Sequence, residues 1–307
     1  MNLKKIGLAI SMAVARLRNG IEIPLIGLGT FQLKGTEVKE VVQTAIKLGY
    51  RHIDTASIYR NEKEIGEAIR EFIDQNVVVR SELFVTSKVS PKDQGFNTAL
   101  KAIQQSLDSL GLEYIDLMLI HWPGTQKVAL NSDLNAENRL GTWKALEEFY
   151  DKGLLKAIGV SNFMAVHLTQ LLESHGIKHI PMVNQFELHP LVWTKETRAL
   201  IQLCHSHGIV VEGYSCLGQG SLLDGSIETS VLDAIATQLN ATRAQVLIQW
   251  CISRGDVVMP KASSHTRLQE NLLSLSISLS DAQLQSIDGL VDTVTQRRFC
   301  WDPNNVK

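Results

Sequence analysis

Cysteine is scarce in this chain of 307 residues, and the four that occur (Cys204, Cys216, Cys251, Cys300) include no Cys-x-x-Cys pair. That argues against a disulfide scaffold and for a reduced, cytoplasmic protein with free thiols. Charge of one sign is also lacking. The formal net charge is −2 and the isoelectric point about 6.5, so no basic field points to nucleic acid or to anionic lipid. Metal-ligand spacings are absent too. His205 and His207 lie two apart on a helical segment and face different ways, so no catalytic metal is expected. Gly27-Leu28-Gly29 is not followed by a helix with a third glycine in place, so it does not make a dinucleotide-binding G-x-G-x-x-G turn. No composition break or linker separates two halves, and no heptad or apolar surface stripe demands a partner. One domain over residues 1–307 and a monomer follow as expectations.

The composition that is present can bury a large core, since 44% of the residues are hydrophobic. Short apolar runs at 23–29, 52–54, 83–87, 114–120, 156–160, 181–185, 209–213 and 256–259 alternate with helical stripes. In the first stripe Val38, Val41, Val42, Ala45 and Leu48 share a face and Gly49 ends the run. Stripes follow at 62–72, 100–110, 143–150, 167–173, 194–207, 230–239, 244–251 and 267–273. Eight strand–helix units with near-continuous apolar strands predict a closed parallel (β/α)8 TIM barrel, with an open doubly wound sheet as the rival. Long connections at 90–97, 122–140 and 214–229 follow strand carboxyl ends. They would overhang the rim where such barrels build their sites. The tail 291–307, with Phe299 and Trp301, is expected to fold over the same mouth.

The first residues allow two readings. Lys4-Lys5 before the apolar stretch 6–15 imitates a signal peptide. Against it, segments 13–18 and 21–25 flank Asn19-Gly20, a two-residue hairpin signal, and cleavage after Ala15 would remove most of the first strand. The hairpin, over about 13–25, is the expectation.

Asp54, Tyr59, Lys88 and His121 lie at or just past three successive strand ends. Singly, each has a plain structural reading as a turn, packing, surface or core residue. Together they suit proton transfer. A free phenol with pKa about 10 is a poor acid. An ammonium about 4 Å away gains roughly 4 kcal/mol with phenolate at an effective dielectric near 20, before desolvation opposes it. Lys88 can supply that charge, Asp54 can anchor Lys88, and His121 can donate a hydrogen bond to a substrate oxygen. The set suits protonating a carbonyl oxygen while hydride arrives at carbon.

Five blocks make the resemblance specific. Gly49-Tyr-Arg-His-Ile-Asp-Thr-Ala-Ser-Ile-Tyr59 with Asn61-Glu62, Thr86-Ser-Lys88, Ile120-His-Trp-Pro123, Ile158-Gly-Val-Ser-Asn-Phe163, and Pro260-Lys261 with Arg267 and Glu270-Asn271 resemble the aldo-keto reductases in family order over nearly the whole chain. The resemblance implies NADPH-dependent reduction of aldehydes and ketones. It makes Tyr59 the general acid, with Lys88, paired with Asp54, lowering its pKa and His121 orienting the carbonyl. It implies that Ser161, Asn162 and Gln185 hold the nicotinamide carboxamide and that the ring stacks on Tyr214. Leu217 and Gln219 would lie over the pyrophosphate, Lys261 and Arg267 on the adenosine 2′-phosphate, and Asn271 on the adenine. Gly29, Thr30, Asp54 and Ser263 complete the NADPH-binding (NADP+-binding) set.

Two departures are visible. Ala262 replaces the serine that many members carry after this lysine, with Ser263 and Ser264 as substitutes. Ser90 stands where several relatives have tryptophan, which implies a wider mouth. Phe31, Trp122 and Trp301, with Tyr59 and His121, would line the substrate site, and small apolar or dicarbonyl aldehydes are the expected substrates. The alternative function is a cofactor-binding redox sensor or structural protein of the same fold with little turnover. A metal-dependent barrel hydrolase is the further rival, which the absent ligand cluster disfavours.

Overall fold

The computed structural model describes residues 13–294 and 296–307, and the apolar residues 6–12 weighed as a targeting segment lie outside them. Strands β3 (Leu28–Gly29), β4 (His52–Asp54), β5 (Phe84–Val89), β6 (Ile115–Ile120), β7 (Leu155–Ser161), β8 (Val183–Glu187), β9 (Val210–Tyr214) and β10 (Val257–Met259) form one parallel sheet in chain order. A bridge from Ile26 to Val258 joins its two ends, supported by Gly27 N–H to Val258 O at 2.9 Å and Gly29 N–H to Pro260 O at 3.1 Å. The result is the expected (β/α)8 TIM barrel. β5 and β6 are buried along their whole lengths, which is why both read as continuous apolar runs rather than alternating ones.

The helices follow the stripes. α1 (Gly35–Leu48) buries Val38, Val41, Val42 and Ala45 and stops at Gly49, whose φ of 110° suits glycine. α2 (Glu62–Asp74) buries Ile65, Ala68, Ile69 and Phe72, and α3 (Phe96–Leu110) buries Ala99, Ile103, Leu107 and Leu110. α4 (Leu134–Asp151) begins within the connection expected to be loop. Its first turns bury Asn135, Arg139 and Thr142, so hydrophobic periodicity gives no signal there. α5 (Ala165–Leu172), α6 (Lys195–Ser206), α7 (Ser230–Leu239), α8 (Arg243–Arg254) and α9 (His265–Leu273) follow, and the sequence stripes do not foresee α10 (Asp281–Asp288) and α11 (Leu290–Thr293). The missed signal for α10 is the capping box at Ser280 and Gln283, whose reciprocal bonds are 3.0 and 3.3 Å.

The hairpin pairs β1 (Val14–Arg16) with β2 (Glu22–Pro24) in antiparallel register. Its turn differs from the expected two-residue form. Gly20 N–H bonds Leu17 O at 2.8 Å, Leu17 N–H bonds Ile21 O at 2.8 Å, and Gly20 has φ +87°. This is a three-residue loop with glycine in the left-handed position. Leu17 and Ile23 then plug the amino-terminal end of the barrel against Phe84, Leu117, Val210 and Val257. The tail crosses the opposite end. Trp301 meets Trp122 at 5.0 Å, and the Phe299 N–H bonds Glu187 at 2.6 Å.

Candidate active site

The carboxyl rim brings the four predicted residues together. Asp54 is the last residue of β4, Lys88 lies inside β5, and His121 directly follows β6. Tyr59 ends the short 3-10 turn Ser57–Tyr59. The Lys88 ammonium donates to Asp54 at 2.6 and 2.8 Å and to the Thr55 carbonyl at 2.9 Å. It stands 5.3 Å from the centre of the Tyr59 ring. The Tyr59 and His121 rings meet edge to face at 5.7 Å. Strand order makes this possible, since β4, β5 and β6 are neighbours and Asp54 and Lys88 both turn inward from adjacent strands.

The electrostatics correct one expectation. Burial pulls Lys88 down, but Asp54, Tyr59 and Glu212 together outweigh it, so the amine is held above its ordinary value and stays charged. Burial raises the Tyr59 phenol. Lys88 pulls it down as foreseen, yet desolvation wins and the net direction is upward. The phenol therefore keeps its proton. Burial, then Lys88, drives His121 well below the usual histidine value, so its imidazole is neutral.

Around this centre stand the residues assigned to a nicotinamide. Ser161 ends β7, Gln185 lies in β8 and Tyr214 ends β9. The Asn162 amide donates to His121 O at 2.9 Å and to Ser161 Oγ at 3.0 Å, while its Oδ1 accepts from Tyr214 at 2.6 Å. The Tyr214 ring is thereby held in one orientation at the mouth. Gln185 donates from Nε2 to Asp54 at 2.8 Å and also to Glu212. Its Oε1 and the Ser161 hydroxyl hydrogen carry no bond to the described residues. One acceptor and one donor, side by side at adjacent strand ends, match the two sides of a carboxamide. Gly29 is close under the Met259 carbonyl, 3.3 Å from an added Cβ, and Thr30 is buried with its hydroxyl on Asp54 O at 2.8 Å. These two shape the floor.

The residues expected at a 2′-phosphate gather at the amino terminus of α9. Ser264 caps the helix by accepting from Arg267 N–H at 3.3 Å, while Lys261, Ser263 and Arg267 are exposed beside it. Free N–H groups and two cations fit a phosphate. Other assigned residues are placed differently. Asn271 is buried rather than open to solvent, on the helix whose Leu268 carbonyl accepts from the Tyr50 hydroxyl at 3.0 Å. Gln219 reaches across to the tail, at 3.3 Å from Phe299 O, and Leu217 leads the turn that carries it. Ser90 is fully buried and caps the turn Pro91–Asp93 through a 3.4 Å bond from Lys92 N–H.

The mouth is a run of rings: Phe31 to Tyr59 at 5.1 Å, Tyr59 to His121, His121 to Trp122 at 6.2 Å, and Trp122 to Trp301. Phe31 and Trp301 remain 53% and 46% exposed, so the rim presents aromatic surface to solvent above the buried Asp54, Lys88 and His121. Three residues of the surroundings carry no mark in the sequence analysis. Glu212 lies inside the barrel beside Gln185. Glu187 and His189 form a buried pair at 3.0 Å, and Glu187 pins Phe299 and Arg298 of the tail. The signal for this pair is the alternate spacing Gln185, Glu187, His189 along and just past β8.

An acid, an amine, a phenol and an imidazole gathered on the carboxyl rim of a (β/α)8 barrel suit proton transfer. The sequence profile of the Aldo/keto reductase family matches residues 25–292, and the chain belongs to that family. Among its relatives, a glyoxal reductase of Bacillus subtilis is 44% identical over 276 residues, 90% of this chain and 91% of that protein. A 9,11-endoperoxide prostaglandin H2 reductase of Trypanosoma cruzi is 42% identical over 290 residues, 94% of each chain. In the solved structure of MGS-M4, an aldo-keto reductase from a Medee basin deep-sea metagenome library, 99% of the chain superposes on 95% of this one with a TM-score of 0.83 at 38% identity. The chain is thus an oxidoreductase of the carbonyl-reducing, nicotinamide-using kind.

Proposed function

We propose that the protein reduces small aldehydes and 1,2-dicarbonyls to alcohols with NADPH, and that Tyr59 is the general acid. The observation that carries the reading is the buried Asp54–Lys88 pair beneath a protonated phenol, beside a neutral imidazole. A bound NADPH supplies hydride to the carbonyl carbon. The carbonyl oxygen then gains electron density, and the Tyr59 hydroxyl delivers its proton to it. Lys88, 5.3 Å from the ring, stabilises the phenolate left behind. Asp54 keeps Lys88 charged and in place. Because His121 is neutral it has no proton to spare, and it serves as a hydrogen-bond donor that orients and polarises the carbonyl. Ser161, Gln185 and Asn162 would hold the carboxamide of the cofactor, and Tyr214 would support its ring.

The preference for NADPH rests on Lys261 and Arg267 flanking the α9 amino terminus, where a 2′-phosphate gains charge-assisted bonds that a hydroxyl does not. The dicarbonyl class is favoured by the exposed aromatic rim and by the presence of a glyoxal reductase of Bacillus subtilis among the relatives. The test is cofactor consumption across aldehydes, dicarbonyls, quinones and ketosteroids, run beside Tyr59→Phe. Loss of about 10²–10⁴ in kcat with NADPH binding retained supports the reading. Parent-like turnover by Tyr59→Phe overturns it, and silence of the parent on every carbonyl favours a cofactor-binding protein instead.

A further inference from the structure

Glu212 has no part in the reaction as derived so far, yet it sits directly behind it. It occupies the middle of β9, is fully buried, and pairs in register with Gln185 across the parallel β8–β9 ladder. The Gln185 amide nitrogen is shared by two carboxyls, Asp54 Oδ2 at 2.8 Å and Glu212 Oε1. Glu212 Oε2 has no partner among the described residues.

Charge around this cluster is unbalanced if every acid ionises. The groups acting on Glu212 are Asp54 from β4 and Lys88 from β5, while Gln185 from β8 is neutral. Its β10 register partner, Val257, is apolar. His52, two residues before Asp54, is held neutral by burial and bonds Thr86 at 2.9 Å. Glu187, further along β8, is spent on His189 and the tail. One ammonium thus faces two carboxyls in a dry interior, and two such acids sharing a site do not both ionise readily. Burial first, then the charge of Asp54, pushes Glu212 up to about 8.

We propose that Glu212 is a positioning residue of the reductase site: as a neutral acid it fixes Gln185 and leaves the charge of Lys88 to Asp54 and Tyr59, and when ionised it adds a negative charge behind Lys88 that makes Tyr59 hold its proton more tightly. The inference rests on the reading of Tyr59 and Gln185 given above. It assigns to one side chain both the aim of the carboxamide-binding amide and the alkaline behaviour of the acid.

The test needs no turnover. The Tyr59 phenol is titrated by ultraviolet difference absorbance, as parent minus Tyr59→Phe, and again in the Glu212→Gln background. Glutamine preserves shape and hydrogen bonding but never ionises. Tyr59 is expected to titrate about half a unit to one unit lower in Glu212→Gln. In parallel, Glu212→Leu is expected to weaken NADPH binding about tenfold, with Glu212→Gln restoring most of the affinity. An unchanged phenol titration in Glu212→Gln overturns the proposal, as does parent-like NADPH affinity in Glu212→Leu. Should Glu212→Leu fail to fold, the titration decides alone. A protein inactive on every carbonyl would remove the proposed function and still leave this titration readable.

Discussion

Lys88 and Asp54 meet as a bidentate pair, with the ammonium on both carboxylate oxygens at 2.6 and 2.8 Å and the side chains only 1% and 7% exposed. Taking one partner from such a pair leaves a charge stranded in the interior. Asp54→Asn or Lys88→Met alone is expected to lose about 3–5 kcal/mol, and the double variant clearly less than the sum of the two. A double-mutant cycle from denaturant unfolding checks this, and strict additivity would contradict it.

The raised Tyr59 phenol separates the two directions of the reaction. With Tyr59 as the proposed acid, reduction draws on the protonated form, which persists to above the ordinary value of 10, so its rate should stay level across neutral and mildly alkaline pH. Alcohol oxidation needs phenolate, so its rate should climb with pH and reach no plateau below 10. Rates in both directions over this range make the comparison, and an oxidation plateau near neutrality would count against the assignment.

Buried histidines make the fold acid-sensitive. Burial lowers His52 from 6.5 to about 3 and His167 from 6.5 to about 4. Below 6.5 the unfolded chain takes up protons that these folded side chains refuse. Stability present above that value is therefore lost as pH falls toward the folded values. His167 also bonds Val306 O at 2.8 Å in the tail. His167→Gln should be less stable at pH 7 but show a flatter decline between about 6.5 and 4, read from urea midpoints.

Arg267 distinguishes the cofactors. Loss of its charge-assisted contact to a 2′-phosphate should weaken NADPH binding about 10- to 100-fold in Arg267→Ala and leave NADH binding nearly untouched. Fluorescence titration with both cofactors measures the ratio; equal losses would mean that Arg267 serves the helix and not the phosphate.

Trp301 forms the outer wall of the mouth against Trp122. If Trp301 lines the substrate site as proposed, Trp301→Ala should raise KM for apolar aldehydes about 3- to 10-fold while changing kcat little, because the ring stands apart from the proposed proton path. A fall in kcat with unchanged KM would assign the tail a different role.

Much of this was legible beforehand for a physical reason. A barrel strand is buried on both faces, so β5 and β6 announce themselves as apolar runs, and chemistry collects where such runs end. Asp54, Lys88 and His121 could be found from that rule alone. The start of α4 escaped because Asn135, Arg139 and Thr142 face inward, and burial of polar groups leaves no periodic signal. Glu212 escaped because one acidic residue in an apolar strand carries no mark of its neighbours, which come from β4, β5 and β8.

The order of residues by itself determined the alternation of strands and helices, the hairpin that plugs the barrel, and the three strand ends that supply acid, amine and imidazole. Those depend on neighbours a few positions apart. Tertiary structure alone decided that burial outweighs Lys88 at the Tyr59 phenol, that Gln185 is shared between two carboxyls, and that the tail is pinned to Glu187. Desolvation and charge act through space, and their balance exists only once the barrel has closed around them.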